Sequence, residues 1–184
     1  MPLRMTYANL LSDPNLVAVT SDTFTGPQDL VLGTHSAGAQ SLTIPVNYLK
    51  PGHLIRTEAW GSFSTTGTPT LVLGTYYGAT VLAVNVALTT ASGAVTLPWH
   101  LRTITHVRSA APNSAAVTIT QGELWYGTTL TAVTQIPVPG IALATVNVDN
   151  SAANIWTVKA TWSASSASNI VVLHGWTVEE LTQV

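Results

Sequence analysis

Residues Trp99–Arg108, WHLRTITHVR, alternate between two kinds of side chain with a period of two. The odd positions carry Trp, Leu, Thr, Thr and Val, whereas the even positions carry His, Arg, Ile, His and Arg. Successive side chains of an extended strand point to opposite faces. The alternation therefore predicts a β-strand with one face buried and the other toward solvent.

Similar segments, rich in Val, Ile, Leu, Thr and aromatic residues, recur along most of the chain. Turn-forming pairs such as Pro51-Gly52 and Pro139-Gly140 separate them, and no long window keeps a helical period. Many short strands at this spacing predict an all-β fold, namely a jelly-roll-like double-sheet sandwich of about 8–10 antiparallel strands. We predict strands near 29–33, 41–46, 53–63, 70–77, 81–88, 99–108, 115–126, 131–136, 142–149, 154–163 and 170–180.

The chain has 184 residues and a mass of 19.3 kDa, which fits one domain with a sizeable core. Residues 1–28 differ from the rest, because they contain three prolines and show only weak periodicity. We therefore predict an N-terminal arm or first strand at 1–28, and a single β-sandwich domain at 29–184.

Charged residues are scarce: six Lys and Arg and eight Asp and Glu make up 8% of the chain, against about 25% in typical domains. The net charge of −2 and the dispersed basic residues argue against direct binding to nucleic acid. The apolar runs are too short to span a bilayer, and the N-terminus lacks the apolar core of a signal peptide. We therefore expect no membrane partner and synthesis in a cytoplasm.

The residue types give little support for a metal site. The chain contains no Cys, which excludes disulfides and thiolate ligands. His100 and His106 share a predicted strand face, but six residues of strand separate them by about 20 Å, too far for one ion. The sequence therefore predicts no metal ligand and no cofactor.

Two glutamates, Glu58 and Glu123, are the only acids deep inside predicted strands, and each shares its face with a tryptophan. Jelly-roll glycosidases place two carboxylates about 5 Å apart for retention, or up to about 9.5 Å apart for inversion. The pattern also fits an ion-paired strand, since Arg56 lies two residues from Glu58, and a bulge at Gly122 would turn Glu123 to the other face. We predict that the protein is not an enzyme and has no catalytic residues.

Three tryptophans are expected in the core. Trp156 and Trp162 lie on one apolar face of a predicted strand, and Trp176 shares its face with Val172 and Val178. These indoles are therefore assigned to packing rather than to a sugar-binding platform.

Two pairs of identical neighbours lie on predicted strands. Tyr76 and Tyr77 must point to opposite faces, so we expect one ring outside, where contact with a protein partner is favoured over contact with sugar. Glu179 and Glu180, at the end of the last strand, are interpreted as a solvated cap rather than a catalytic pair.

Segments 48–78, YLKPGHLIRTEAWGSFSTTGTPTLVLGTYYG, and 87–109, ALTTASGAVTLPWHLRTITHVRS, resemble a group of tailed-bacteriophage virion proteins. In that family, a strand ending in Gly is followed by a Thr-Thr-Gly-Thr-Pro turn, a Leu-x-Leu-Gly strand and an aromatic-Gly end. A Leu-Thr-Thr-x-Ser-Gly loop and a Trp-bearing strand come next. The resemblance covers roughly 45–110, with a looser match in the last strand.

The resemblance implies a jelly-roll subunit, a homotrimer, on the outer surface of a phage particle that is assembled in the host cytoplasm. Because no coiled-coil, β-helical or collagen-like shaft is visible, we expect a capsid decoration protein rather than a tail fibre. Its partners would be copies of itself and the major capsid protein or other virion subunits. The alternative is a tail-associated protein or a receptor- or carbohydrate-binding jelly-roll module.

The sparse charge is consistent with association, because a weakly charged surface has little repulsion between copies and costs little to desolvate. Contacts with partners are predicted at Arg4, Tyr7 and Leu10 in the N-terminal arm. Tyr76 and Tyr77 are the predicted contacts in the sandwich.

Overall fold

The computed structural model describes residues 24–31 and 42–181. Within these residues, twelve strands form two antiparallel sheets that pack face to face, and no helix is present. The predicted all-β double-sheet sandwich is confirmed. The strands are β1 Gln28–Asp29, β2 Leu42–Ile44, β3 Leu54–Ser64, β4 Thr70–Tyr77, β5 Thr80–Val84, β6 Leu88–Thr89, β7 Leu97–Ala110, β8 Ala115–Thr129, β9 Ala132–Val138, β10 Thr145–Asp149, β11 Asn154–Trp162 and β12 Ile170–Glu180.

The number of strands exceeds the predicted 8–10 because β1, β2 and β6 are only two or three residues long. Sheet A has the order β10-β8-β7-β3-β12, and β9 pairs with the same side of β8 as β10 does. Sheet B has the order β1-β11-β4-β5, with β2 also on β11 and β6 also on β4. The chain passes from one sheet to the other at β3, β4, β7, β11 and β12, so neighbouring strands are often distant in sequence.

The core lies between the inward faces of the two sheets. Its largest fully buried side chains include Trp99, Trp156, Trp162 and Trp176, which confirms the three predicted core tryptophans. The Trp156 indole N–H donates to the Thr57 hydroxyl at 2.8 Å. This bond joins β11 of sheet B to β3 of sheet A, and it satisfies a polar group that would otherwise be costly to bury.

Threonine hydroxyls pair with one another inside this core. The hydroxyls of Thr75 in sheet B and Thr103 in sheet A lie 2.9 Å apart, and both residues are fully buried. Thr105 and Thr120, on neighbouring strands of sheet A, form a second pair at 2.9 Å. Each hydroxyl can donate or accept, so one hydrogen bond forms within each pair without a water molecule.

Gly61 in β3 marks a place of close packing. A Cβ at this position would overlap the carbonyl oxygen of Val172 in β12, and it would lie 2.9 Å from two atoms of the Trp99 indole. The indole is held there by a 3.2 Å hydrogen bond from its N–H to the Ser62 carbonyl. Only glycine fits between the backbone of one strand and the ring of another.

The predicted alternation of 99–108 is confirmed in β7, where the odd positions are buried and the even ones are more exposed. In β12 the alternation is interrupted, because the register with β3 shifts at His174. Trp176 faces the core as predicted, but Val172 lies on the opposite face from it, contrary to the prediction. A bulge adds one residue, which reverses the faces of all later positions.

The predicted boundary between 1–28 and 29–184 falls within β1. This short strand pairs with β11, and the Asp29 carboxylate accepts hydrogen bonds from the Thr157 hydroxyl at 2.6 Å and the Val31 amide at 2.9 Å. Residues 1–23 lie outside the described residues, so the N-terminal arm stays a prediction.

Candidate functional site

Charged side chains form a row across the outer face of sheet A, by which we mean its solvent-facing side chains. Cross-strand pairing places Glu58 of β3 opposite Arg102 of β7, and Arg102 opposite Glu123 of β8. The register is continuous at Gly122, so Glu123 keeps the predicted face that it shares with Trp125. The two glutamates singled out from the sequence therefore lie on the same face, with an arginine between them.

Ion pairs hold this row in place. Arg102 Nε lies 3.2 Å from Glu58 Oε1, and Arg56 Nε lies 3.7 Å from the same oxygen. Arg56 also contacts Glu179, and the Gln135 amide donates to the Glu123 carboxylate. These side chains are a quarter to under half exposed, so the pairs act mainly by orienting one another rather than by adding stability.

An aromatic row runs beside the charged one. Trp60 of β3 pairs with His100 of β7, which pairs with Trp125 of β8. Trp60 and Trp125 are 41% and 43% exposed, whereas the other four tryptophans of the chain are buried. Two strand spacings put the backbones of the two tryptophans about 10 Å apart.

A groove of about 550 Å³ adjoins the charged row, between β7, β8 and the segment after β9. Its polar lining includes Arg102, Gln121 and Glu123, and its apolar lining includes Ile141 and Leu143. This is within the usual size of a small-molecule site, and it combines apolar walls with a few polar groups.

The glycosidase alternative requires two carboxylates that flank one bond. Glu58 and Glu123 lie two strands apart, at about 10 Å between backbones, which is near the upper limit for an inverting pair. However, Glu58 is engaged by two arginines, and Glu123 by Gln135. Both carboxylates are therefore held by neighbouring side chains in this arrangement. That the protein is not an enzyme stays a prediction.

The expectation that one of Tyr76 and Tyr77 is exposed is wrong, since they are 5% and 2% exposed. Both lie on β4, a central strand of sheet B. Tyr77 packs edge to face on Trp156 in the core, with ring centroids 5.9 Å apart, and the Lys159 ammonium lies 5.1 Å from the centroid of the Tyr76 ring. Their burial in this chain removes the basis for predicting partner contacts at these two positions.

The interpretation of Glu179 and Glu180 as a solvated cap is also wrong. Glu179 contacts Arg56, while Glu180 accepts a hydrogen bond from the Tyr48 hydroxyl and lies 3.4 Å from His53 Nδ1. The side chains of His53 and Glu180 are only 6% and 12% exposed. The strand does not end in solvent, because the segment before β3 packs over its last residues.

Burial lowers the pKa of His53 below its ordinary value of 6.5, although the Glu180 carboxylate opposes this shift and Lys50 adds to it. The folded state thus favours the neutral ring, whereas the unfolded chain takes up a proton near pH 6.5. We expect unfolding free energy to fall as pH drops from 7.5 to 5.5, by at most about 1.4 kcal/mol per pH unit for this group. Denaturant titrations at these pH values should show a smaller loss in His53→Gln.

The Glu180→Gln variant provides a second comparison, because it removes the carboxylate that raises the pKa of His53. Its acid-induced loss of stability should therefore exceed that of the wild type. Equal pH dependence in the wild type and His53→Gln would contradict the assignment of this effect to His53.

An uncharged, exposed border forms the β9 and β10 side of sheet A. No Asp, Glu, Lys or Arg occurs between Glu123 and Asp149. Large apolar side chains are exposed along it: Leu130 at 85%, Ile141 at 78% and Val133 at 60%. Edge strands are usually protected by charge or by a covering element, so this border, which we call the apolar edge, is suited to association.

The remaining sequence-based expectations concern metal sites, membrane spans and the partner contacts of the N-terminal arm. No cluster of three or more His, Asp or Glu in residues 24–31 and 42–181 could hold a metal ion. In the same ranges, no helix is long and apolar enough to cross a membrane. Arg4, Tyr7 and Leu10 fall outside the described residues, so their predicted partner contacts are not tested.

The aromatic row was missed by sequence reasoning, which considered the buried tryptophans and Tyr76 and Tyr77 as possible platforms. Its signal was nevertheless present: Trp60 lies two residues after Glu58, and Trp125 two residues after Glu123. Each pair shares a strand face. Only the pairing of β3 and β8 with β7 brings the two pairs together.

Comparison with known proteins identifies no family. No family model matches the chain, and no curated protein matches it. Among solved structures, the chain is similar to a legume lectin-like domain from Entamoeba histolytica, at 8% sequence identity, over 96% of this chain and 89% of that one, with a TM-score of 0.29. Such a low TM-score carries no argument about function, and the sandwich is established by its own strand pairing.

Proposed function

We propose that the chain is a structural protein of a tailed-phage virion, which binds the outer shell as an oligomer and so acts as a capsid decoration protein. The sequence resemblance over about 45–110 suggests the class of protein. The observation that carries self-association is the apolar edge, an exposed strand border without an ionised side chain over residues 124–148.

In a threefold ring, contact of the apolar edge of each copy with the next copy would cover the exposed valine, leucine and isoleucine side chains. It would do so without burying charge, which is the costly part of most protein surfaces. A homotrimer would also present three shell-binding surfaces at once, so that modest contacts combine into stable attachment.

Light scattering after size-exclusion chromatography measures the mass of the particle in solution and so tests the predicted trimer. We expect a mass three times that of the 19.3 kDa chain. Val133→Lys and Ile141→Lys should each dissociate it, since burying an unpaired charge costs about 3 kcal/mol, or roughly 100-fold in affinity. Val95→Lys is the matched control, because Val95 is 68% exposed and lies outside the apolar edge.

A wild type that stays monomeric, or an oligomer that tolerates both lysines, would contradict association through this edge. Binding to the shell is tested separately, by co-sedimentation of the purified protein with undecorated capsids of the phage that encodes it. Failure to sediment would contradict the decoration role. Deletion of residues 1–20 in the same assay tests the predicted arm.

A further inference from the structure

The geometry points to a carbohydrate-binding site on the outer face of sheet A, formed by the aromatic row, the charged row and the adjoining groove, for a neutral oligosaccharide. This site goes beyond the proposed function and does not depend on it. It is carried by the exposure and placement of Trp60 and Trp125, together with the polar groups between them.

The position of the Trp60 ring depends on Gly175, which leaves room for the indole. Gly175 of β12 pairs directly with Trp60, and a Cβ at position 175 would lie 2.7 Å from the Cε2 atom of the indole and 3.0 Å from its Cη2 atom. The benzene part of the ring therefore lies over the space that a side chain at 175 would occupy. One side of the ring is supported by the sheet, while 41% of the residue stays exposed.

Trp125 is the matching platform two strands away. It is 43% exposed, and its cross-strand neighbours on the two sides are His100 and Gln135. Exposed indoles on a rigid sheet are expensive to leave in water, so a pair of them beside clustered ionised groups suggests a ligand that is flat, apolar on its faces and polar at its rim.

The charged row provides both donors and acceptors for such a rim. Arg102 and Gln135 donate, and the carboxylates of Glu58 and Glu123 accept, so the row can bind hydroxyl groups in either direction. Because these groups already engage one another, their positions are fixed before a ligand arrives. Preorganisation of this kind lowers the entropy cost of binding.

The charge balance distinguishes the class of ligand. In the charged row, Arg56 and Arg102 stand against Glu58, Glu123 and Glu179, which gives a formal excess of one negative charge. An anionic ligand, such as a nucleic acid or an acidic glycan, would meet no net attraction here. A neutral sugar does not need net electrostatic attraction, since ring stacking and hydroxyl hydrogen bonds are its main contacts.

The groove extends the site away from the tryptophans. It shares Arg102 and Glu123 with the charged row and continues along Ile104 and Gln121 to Ile141. An oligosaccharide chain that stacks on the two indoles can therefore continue beside the charged row into a cavity of about 550 Å³. This places the expected ligand among oligomers of several sugars rather than single monosaccharides.

Isothermal titration calorimetry with a panel of neutral hexasaccharides tests the proposal: maltohexaose, cellohexaose, laminarihexaose, mannohexaose and hexa-N-acetylchitohexaose, with an acidic hyaluronan oligosaccharide as the charged comparison. We expect at least one neutral member to bind with a Kd below about 1 mM. Trp60→Ala and Trp125→Ala should each weaken that binding about tenfold or more, as truncation of an aromatic anchor usually does.

Two further variants separate loss of the ring from loss of its position. Gly175→Ala keeps Trp60 but displaces its ring, so it should weaken binding, whereas Val95→Ala, which shortens an exposed side chain elsewhere, should not. Thermal unfolding checks that each variant is folded. Binding should persist in about 0.5 M NaCl, at which interactions between exposed charges are screened.

Three results of the calorimetry would overturn the proposal. They are no binding of any neutral member, binding that both tryptophan variants retain, and binding confined to the acidic oligosaccharide and lost in high salt. Release of reducing ends during incubation would also overturn it, because the face would then hydrolyse its ligand rather than hold it. The oligomer and capsid binding are tested by their own measurements. Because Ile141 belongs to both the groove and the apolar edge, the tryptophan variants rather than variants at Ile141 decide this proposal.

Discussion

Gly61→Ala is expected to reduce the unfolding free energy by about 3 kcal/mol, the upper end of the usual cost of overpacking. The added methyl group would overlap the Val172 carbonyl oxygen and press on the Trp99 indole. Neither neighbour can yield easily, because the first belongs to a paired strand and the second is fixed by its bond to Ser62. Guanidinium-induced unfolding followed by circular dichroism measures the loss.

Gly26→Ala is the matched control, since a Cβ at position 26 meets nothing within 4 Å. We expect its stability to stay within about 0.5 kcal/mol of the wild type. If Gly61→Ala were as stable as Gly26→Ala, the close approach of β3 and β12 in this fold would be incorrect. A variant too unstable to purify, beside a well-behaved Gly26→Ala, would agree with the prediction.

Trp156→Ala is expected to reduce the unfolding free energy by about 4 kcal/mol. The indole is completely buried, packs on Tyr77 and donates to the Thr57 hydroxyl. Its removal leaves a cavity between the sheets and takes away the hydrogen-bond partner of a buried threonine. The same denaturation experiment measures this effect.

Trp125→Ala makes the same chemical change at a residue that is 43% exposed on the outer face of sheet A. Its stability should stay within about 1 kcal/mol of the wild type, because little packing is lost. Similar losses in the two variants would contradict the assignment of Trp156 to the core and of Trp125 to the surface. This control also supports the use of Trp125→Ala in the binding experiment.

Much of the fold could be predicted, because alternation along a strand depends only on local geometry. The pattern in 99–108 identifies β7 and both of its faces, and the apolar faces of Trp156 and Trp162 identify the core. The error at Val172 arose from one extra residue at His174. An isolated glycine in a strand is a signal of a bulge, but Gly122 lies in a continuous register and Gly175 lies beside a bulge, so the signal alone does not separate the two cases.

The candidate site could be predicted only in part, because it depends on pairing between strands that are distant in sequence. Glu58 with Trp60 and Glu123 with Trp125 were visible as two separate patterns. Their adjacency required β7 to lie between β3 and β8 in one register. Register is set by contacts across the whole sheet rather than by either strand alone.

The errors at Tyr76, Tyr77 and Glu180 have a similar origin. A strand pattern shows that two neighbours face opposite ways, but not that both sides of a central strand are covered. Likewise, the segment that carries Tyr48 and His53 reaches Glu180 only in the folded chain. Burial by distant segments is a property of the tertiary structure, which a local pattern does not contain.

The hydrogen bond between the hydroxyls of Thr75 and Thr103 helps to fix the position of sheet B relative to sheet A. Apolar contacts have no preferred direction, so they fix the relative position of two sheets less strictly than a hydrogen bond does. If one sheet moved by one residue relative to the other, both hydroxyls would stay buried without a hydrogen-bond partner. Each unpaired hydroxyl would cost about 1–3 kcal/mol. The 2.9 Å contact thus favours one relative placement of the two sheets, and with it the arrangement of the surfaces built on them.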